Sequence, residues 1–107
     1  MNIHLIEKNR HMRPLHPKSL TYESGDWTVS PEKAARLHGG MIYFHEKQAE
    51  PSYFGGRVID YRVLPNGSPN AGKVVFIFDR LDAAIGVRTA HEGWGMEQKT
   101  VEEQPPV

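Results

Sequence analysis

The chain has 107 residues and a mass of 12.1 kDa, the size of one compact domain rather than two. Thirteen Lys and Arg balance thirteen Asp and Glu, so no global field drives the protein onto nucleic acid or anionic lipid, and 38% apolar residues place it among globular chains. The absence of cysteine excludes disulfide frameworks, zinc ribbons and thiol nucleophiles.

The charge is unevenly placed. Residues 1–20 carry Lys8, Arg10, Arg13 and Lys18 against Glu7, together with His4, His11 and His16, while the last eleven residues have one basic and three acidic side chains. With Pro14 and Pro17, the first twenty residues read as a short strand over Ile3 to Ile6 followed by a basic, His-containing arm. They lack the apolar core of a signal peptide, and no run of 18 apolar residues exists, so a cytoplasmic protein with no membrane partner is expected.

Ser30 followed by Pro31 predicts a helix start, since the hydroxyl caps free N–H groups and Pro at the first position loses no hydrogen bond. Glu32 to Leu37 continue it for about two turns, and Gly39-Gly40 stops it. Met41 to His45 and Arg57 to Leu64 read as strands, the second with Ile59, Tyr61 and Val63 on one face and Asp60 and Arg62 on the other. The turn-rich residues 65–72 separate it from Lys73 to Asp79, whose apolar side chains on both faces mark a central strand. Val87 to Ala90 and Gln98 to Val101 are weaker strand candidates, and residues 102–107 form a tail expected to fray. The whole reads as one α+β, mostly β domain: a small bent sheet or partly open β-barrel with one or two short helices.

Aromatic and polar residues cluster between Met41 and Arg57. Tyr43 and His45 share a strand face, a loop carries Ser52, Tyr53 and Phe54, and Gly55-Gly56 lets the backbone turn closely into the next strand. The plainer reading makes Phe44 and Phe54 core and the glycines a bulge. Trp27 precedes the helix, where it can serve as a core plug, and Trp94 lies between Gly93 and Gly95. An indole in such a loop is costly to leave in water unless it packs or binds, and aromatic faces with a few hydrogen-bonding groups suit a planar base. The six histidines show no regular ligand spacing, so no metal is expected; no phosphate-binding loop or dinucleotide fingerprint is present, so no cofactor is expected either. For catalysis, His45, Glu46, Glu50, Ser52 and Arg57 could converge, with His45 and Glu46 as the acting pair.

The order of these features resembles the PUA-like superfamily, and within it most of all EVE domains and their ASCH and YTH relatives. The resemblance rests on Trp27 before the helix, Tyr43-Phe44-His45, and the strand opening Gly55-Gly56-Arg57-Val58-Ile59, and covers about half the chain. Departures are Gly39-Gly40 where an acidic turn is usual, the loop Glu46 to Phe54, and a shorter carboxy-terminal portion. The resemblance implies a small barrel with a concave site for a flipped or modified base: Trp27, Tyr53 and Trp94 as walls, with Tyr43 beside them, Ser30 and His45 as readers of the base edge, and Arg57 on a phosphate. The expected function is a non-catalytic module binding DNA or RNA that carries a recognised base. The alternatives are a small hydrolase or nuclease acting on nucleosides or RNA, and a protein-interaction domain using the aromatic loop and a strand edge.

Overall fold

A computed structural model of the protein describes residues 1–102. The strands are β1 (Asn2–Ile6), β2 (Met12–Pro14), β3 (Thr21–Trp27), β4 (Met41–His45), β5 (Phe54–Val63), β6 (Val74–Arg80) and β7 (Gln98–Val101), with one helix, α1 (Pro31–Leu37), and a single 3-10 turn, Asp82–Ala84. They form one open, seven-stranded sheet in the order β2-β3-β6-β5-β4-β1-β7. Every neighbouring pair is antiparallel except β1 and β4, which run parallel with Ile3 opposite Ile42 and Ile6 opposite His45.

The local signals explain most elements. Ser30 Oγ accepts from the Lys33 backbone N–H at 3.1 Å, Pro31 opens the helix, and Ala34 and Leu37 enter the core. β6 lies between β3 and β5, and its Val74, Val75, Phe76 and Phe78 are buried, as two covered faces require. Phe78 gathers Tyr22, Phe44 and Phe54, with ring centroids 5.4–6.0 Å away. Gly56 is fixed by close approach, since a Cβ there would lie 1.8 Å from the Asp79 carbonyl oxygen.

Three expectations need correction. The strand expected over Ile3 to Ile6 is present as β1, between β4 and β7, but the segment after it is not a free arm throughout, because Met12–Pro14 pairs with β3 as the short edge strand β2. The alternation expected from Ile59 to Val63 is broken by a bulge, because Val58 faces Phe78 while Asp60 faces Ile77, so Ile59 is the extra residue. Val58 therefore takes the core position, and Ile59 and Val63 are exposed. Val87 to Ala90 is not a strand; its start is held by Ser52, whose backbone N–H donates to Val87 O at 2.8 Å and whose Oγ accepts from Val87 N–H at 3.0 Å. Of the expected tail, Glu102 is described and pairs with Arg36 at 2.7 Å; residues 103–107 lie outside the described residues.

Candidate functional site

Two places on this frame concentrate chemistry. The first is a buried imidazole cluster where β1, β4 and β7 adjoin. His4 on β1 and His45 on β4 are 41 residues apart in sequence, yet His4 Nδ1 lies 2.8 Å from His45 Nε2. His45 Nδ1 lies 2.8 Å from the Glu50 carbonyl oxygen, which can only accept, so that nitrogen carries the proton. The neutral His45 ring then accepts at Nε2, and His4 Nδ1 donates to it. This assigns both tautomers and occupies both nitrogens of His45.

Tyr43 stacks on His4 at 4.5 Å between centroids, and the Trp94 indole meets the His4 and His45 rings edge-on at 6.2 and 5.6 Å. Lys99 on β7 closes the cluster, donating from Nζ to the Ala90 carbonyl at 2.6 Å. Burial, with smaller contributions from His45 and Lys99, pushes the His4 pKa down to about 3. Burial also lowers that of His45, against the hydrogen bond to Glu50. Both rings are held neutral.

The second place is the seam where the open sheet curls back on itself. Gln98 at the start of β7 donates from Nε2 to the Thr28 carbonyl, just beyond β3, at 3.0 Å. Beside that bridge begins a chain of clefts that passes Asp26 and continues over the neighbouring strands β2, β3, β6 and β5. The largest of them, about 550 Å³, is lined by Arg10, His11, Arg13 and Arg62 together with Met12, Leu64 and Val75. Glu23 and Asp26 also line it. A neighbouring cleft of about 310 Å³ takes in Lys8, Asn9, Asp26 and Glu97. A third, about 260 Å³, contains Asp26, Thr28, Lys73 and Gln98.

The shape of β3 makes this seam. Ser24 pairs with Phe76 and Trp27 with Val74, so Gly25 and Asp26 together oppose Val75 alone. In a regular strand, residues three apart point to opposite faces. The extra residue turns both Ser24 and Trp27 inward, where the indole N–H donates to Ser24 Oγ at 3.0 Å. The same bulge leaves the Asp26 side chain exposed at the junction of all three clefts. Gly25 is required there, because a Cβ would fall 2.6 Å from Val75 Cγ2.

The cations of the largest cleft are only partly neutralised. Glu23 is shared, by Arg62 at 2.9 Å and by Arg13 at 3.6 Å, so this trio keeps a net positive charge. Arg13 is the freest, with 83% of its side chain exposed. Arg10 pairs with Glu46 and lies over the Tyr53 ring, 4.1 Å from its centroid. The Tyr53 hydroxyl donates to the Glu7 carbonyl, and burial raises its pKa further.

The residues singled out by sequence are thus distributed. Tyr43, His45 and Trp94 come together in the imidazole cluster. Trp27 is 7% exposed in the main core, and Ser30 is the helix cap. Tyr53 supports Arg10 at the edge of the large cleft, whereas Arg57 donates to the Gly39 carbonyl at 2.7 Å, beside the end of the helix. His45 and Glu46 face different surroundings, one buried and saturated, the other paired at the surface. Ser52 is buried and donates to the Ala84 carbonyl at 2.6 Å. Sequence reasoning gave no site role to His4, Asp26, Arg62 or Asn70; Gly25 before Asp26 was the available sign of a bulge. Compared with known proteins, the chain matches no family model, no curated protein and no solved structure. Among the described residues, no group of His, Asp and Glu is arranged to hold a metal ion, and no helix is long and apolar enough to cross a membrane.

Proposed function

We propose that this protein is a nucleic-acid-binding module that holds one unpaired nucleobase in the cleft along the sheet seam. The observation that carries this is the cleft of about 550 Å³ walled by Arg10, Arg13 and Arg62, in which two of the arginines share one carboxylate. Guanidinium planes stack on bases and also bind phosphates with a directional pair of N–H donors, so one group of residues serves both halves of a nucleotide. Met12, Leu64 and Val75 add some apolar contact beside these charges. A chain of zero formal charge gains modest phosphate affinity from this local excess without binding polyanions indiscriminately.

This reading keeps the function implied by the resemblance to PUA-like domains and moves the base contacts from Trp27 and Trp94 to the arginine cleft. The hydrolase alternative gains nothing from His45, which has no nitrogen free to take a proton from a substrate. The test is fluorescence anisotropy with short single-stranded DNA and RNA oligonucleotides over a range of salt. The double variant Arg13→Ala and Arg62→Ala should weaken binding by about tenfold or more and flatten the dependence on salt. Equal affinity of the variant and the parent protein for every oligonucleotide would remove the cleft from the interface.

A further inference from the structure

We infer that the base held in the seam cleft is guanine, read on its Watson–Crick edge by the Asp26 carboxylate; the inference rests on the nucleic-acid reading above. Asp26 lines all three clefts, sharing one with Arg10, Arg13 and Arg62, another with Lys8 and the third with Lys73, yet it takes part in none of the ion pairs among the described residues. Among the described residues its carboxylate is hydrogen-bonded to a neutral group: Asn70, from the turn between β5 and β6, donates from Nδ2 to Oδ2 at 2.7 Å. That contact orients the carboxylate and leaves most of its acceptor capacity unused, since two ionised oxygens offer about four acceptor sites. The bulge at Gly25-Asp26 interrupts the ladder between β3 and β6 and presents this side chain to the cleft.

A carboxylate that only accepts selects a base edge on which donors lie side by side. Guanine presents N1–H and an N2 amino hydrogen next to each other, and so can engage both oxygens. Adenine and cytosine each place a single amino donor beside a ring nitrogen that accepts, which sets a lone pair against the second carboxylate oxygen. Uracil and thymine place one N–H between two carbonyls, with the same conflict on each side. The edge must be free of a complementary strand, so the ligand is a single-stranded or extruded guanine. The surrounding arginines supply the phosphate contacts and leave the identity of the base to Asp26.

The experiment uses the full chain and a series of eight-nucleotide oligo-dT and oligo-U strands, each with one central guanine, adenine, cytosine or no replacement, read by fluorescence anisotropy. The guanine strand is expected to bind at least fivefold, and up to about 150-fold, tighter than the others, the span that a bidentate base contact gives. Pairing that guanine with a complementary strand should abolish the preference. Asp26→Asn keeps the shape and an acceptor for Asn70 but turns one acceptor into a donor, so the preference should move from guanine to adenine or cytosine. A merely structural Asp26 would change all affinities together and produce no such exchange. Asn70→Ala, which leaves the carboxylate in place without its orienting contact, should reduce the guanine preference several-fold.

Equal binding of all four strands overturns the guanine assignment while leaving the seam as the binding site. A guanine preference that survives Asp26→Asn unchanged overturns the role of Asp26. Absence of binding by any strand overturns both this inference and the reading beneath it. The DNA and RNA series differ only in sugar and in the thymine methyl group, and the series in which the preference is found identifies the strand that carries the base.

Discussion

The imidazole cluster and the seam cleft contain similar side-chain chemistry and put it to opposite ends. In the cluster, His4, His45, Tyr43, Trp94 and Lys99 lie together with the two imidazoles neutral and hydrogen-bonded in a chain that ends on the Glu50 carbonyl. In the cleft, Arg13, Arg62 and Asp26 face water with donors and an acceptor to spare. Polar groups that are buried and satisfied specify the fold, whereas polar groups held in place and left unspent can recognise a ligand. The difference predicts that substitutions in the first region act on stability and those in the second on binding.

The strongest challenge to this division is His45→Ala. The ring is fully buried, and its loss strands the His4 Nδ1–H and the Glu50 carbonyl and opens a void on the parallel β1 and β4 pair. Unsatisfied partners cost about 1 to 3 kcal/mol each and the void adds to that, for an expected total of about 3 to 5 kcal/mol in urea denaturation. That is a large fraction of the stability of a domain this size. A loss under 1 kcal/mol would show that the cluster does not hold the sheet together.

Acid should act on the same region. The folded protein keeps both imidazoles neutral, that of His4 down to about pH 3, while the unfolded chain takes up protons below the ordinary value of 6.5. Stability is therefore complete above pH 6.5 and falls as the pH drops below it, by up to about 1.4 kcal/mol per pH unit for each ring. Urea midpoints that stay level from pH 7.5 to 5 would contradict the assignment of two neutral buried histidines.

How much of the two regions could be read from the sequence follows from the range of the interactions involved. The Ser30-Pro31 helix start and the doubly apolar strand Val74 to Phe78 depend on neighbours in the chain, and both are present as expected. The bulges at Ile59 and at Gly25-Asp26 depend on which residues of β6 stand opposite; Gly25 is a local sign of the second, and nothing near Ile59 marks the first. The parallel pairing of β1 with β4, which brings His4 onto His45, joins segments almost forty residues apart and left no trace in either one. Arg10 and Arg13 stood out as part of a basic segment, but their meeting with Arg62 follows from the strand order β2-β3-β6-β5, which sets distant segments side by side. Tyr43 and Trp94 invited a ligand reading because isolated aromatic residues look alike whether they await a base or cover a histidine pair.

Trp94 gives a finer test. Its indole Nε1–H is buried without a hydrogen-bond partner among the described residues, while its ring edges pack against both imidazoles. Trp94→Phe keeps an aromatic ring and removes the unpaired donor, so the change in stability should be small, between no effect and a gain of about 1 kcal/mol. A loss above 2 kcal/mol would show that the packing of the wider indole on the two imidazoles outweighs the unpaired donor.

The smallest expected change in stability comes from Arg13→Ala, and it separates the regions most cleanly. The guanidinium is largely exposed and lies 3.6 Å from a carboxylate that Arg62 already engages more closely, so its removal should shift unfolding by no more than about 0.5 kcal/mol. In binding, the same residue should count as one phosphate contact. The logarithm of affinity for a single strand should then fall less steeply with the logarithm of salt concentration, by about 0.7 in slope. An unchanged slope with unchanged stability would assign Arg13 to neither task. An unchanged slope with a loss of 2 kcal/mol or more would make the Arg13, Glu23 and Arg62 trio a clasp between β2 and β5, and the cleft an accident of how the sheet closes.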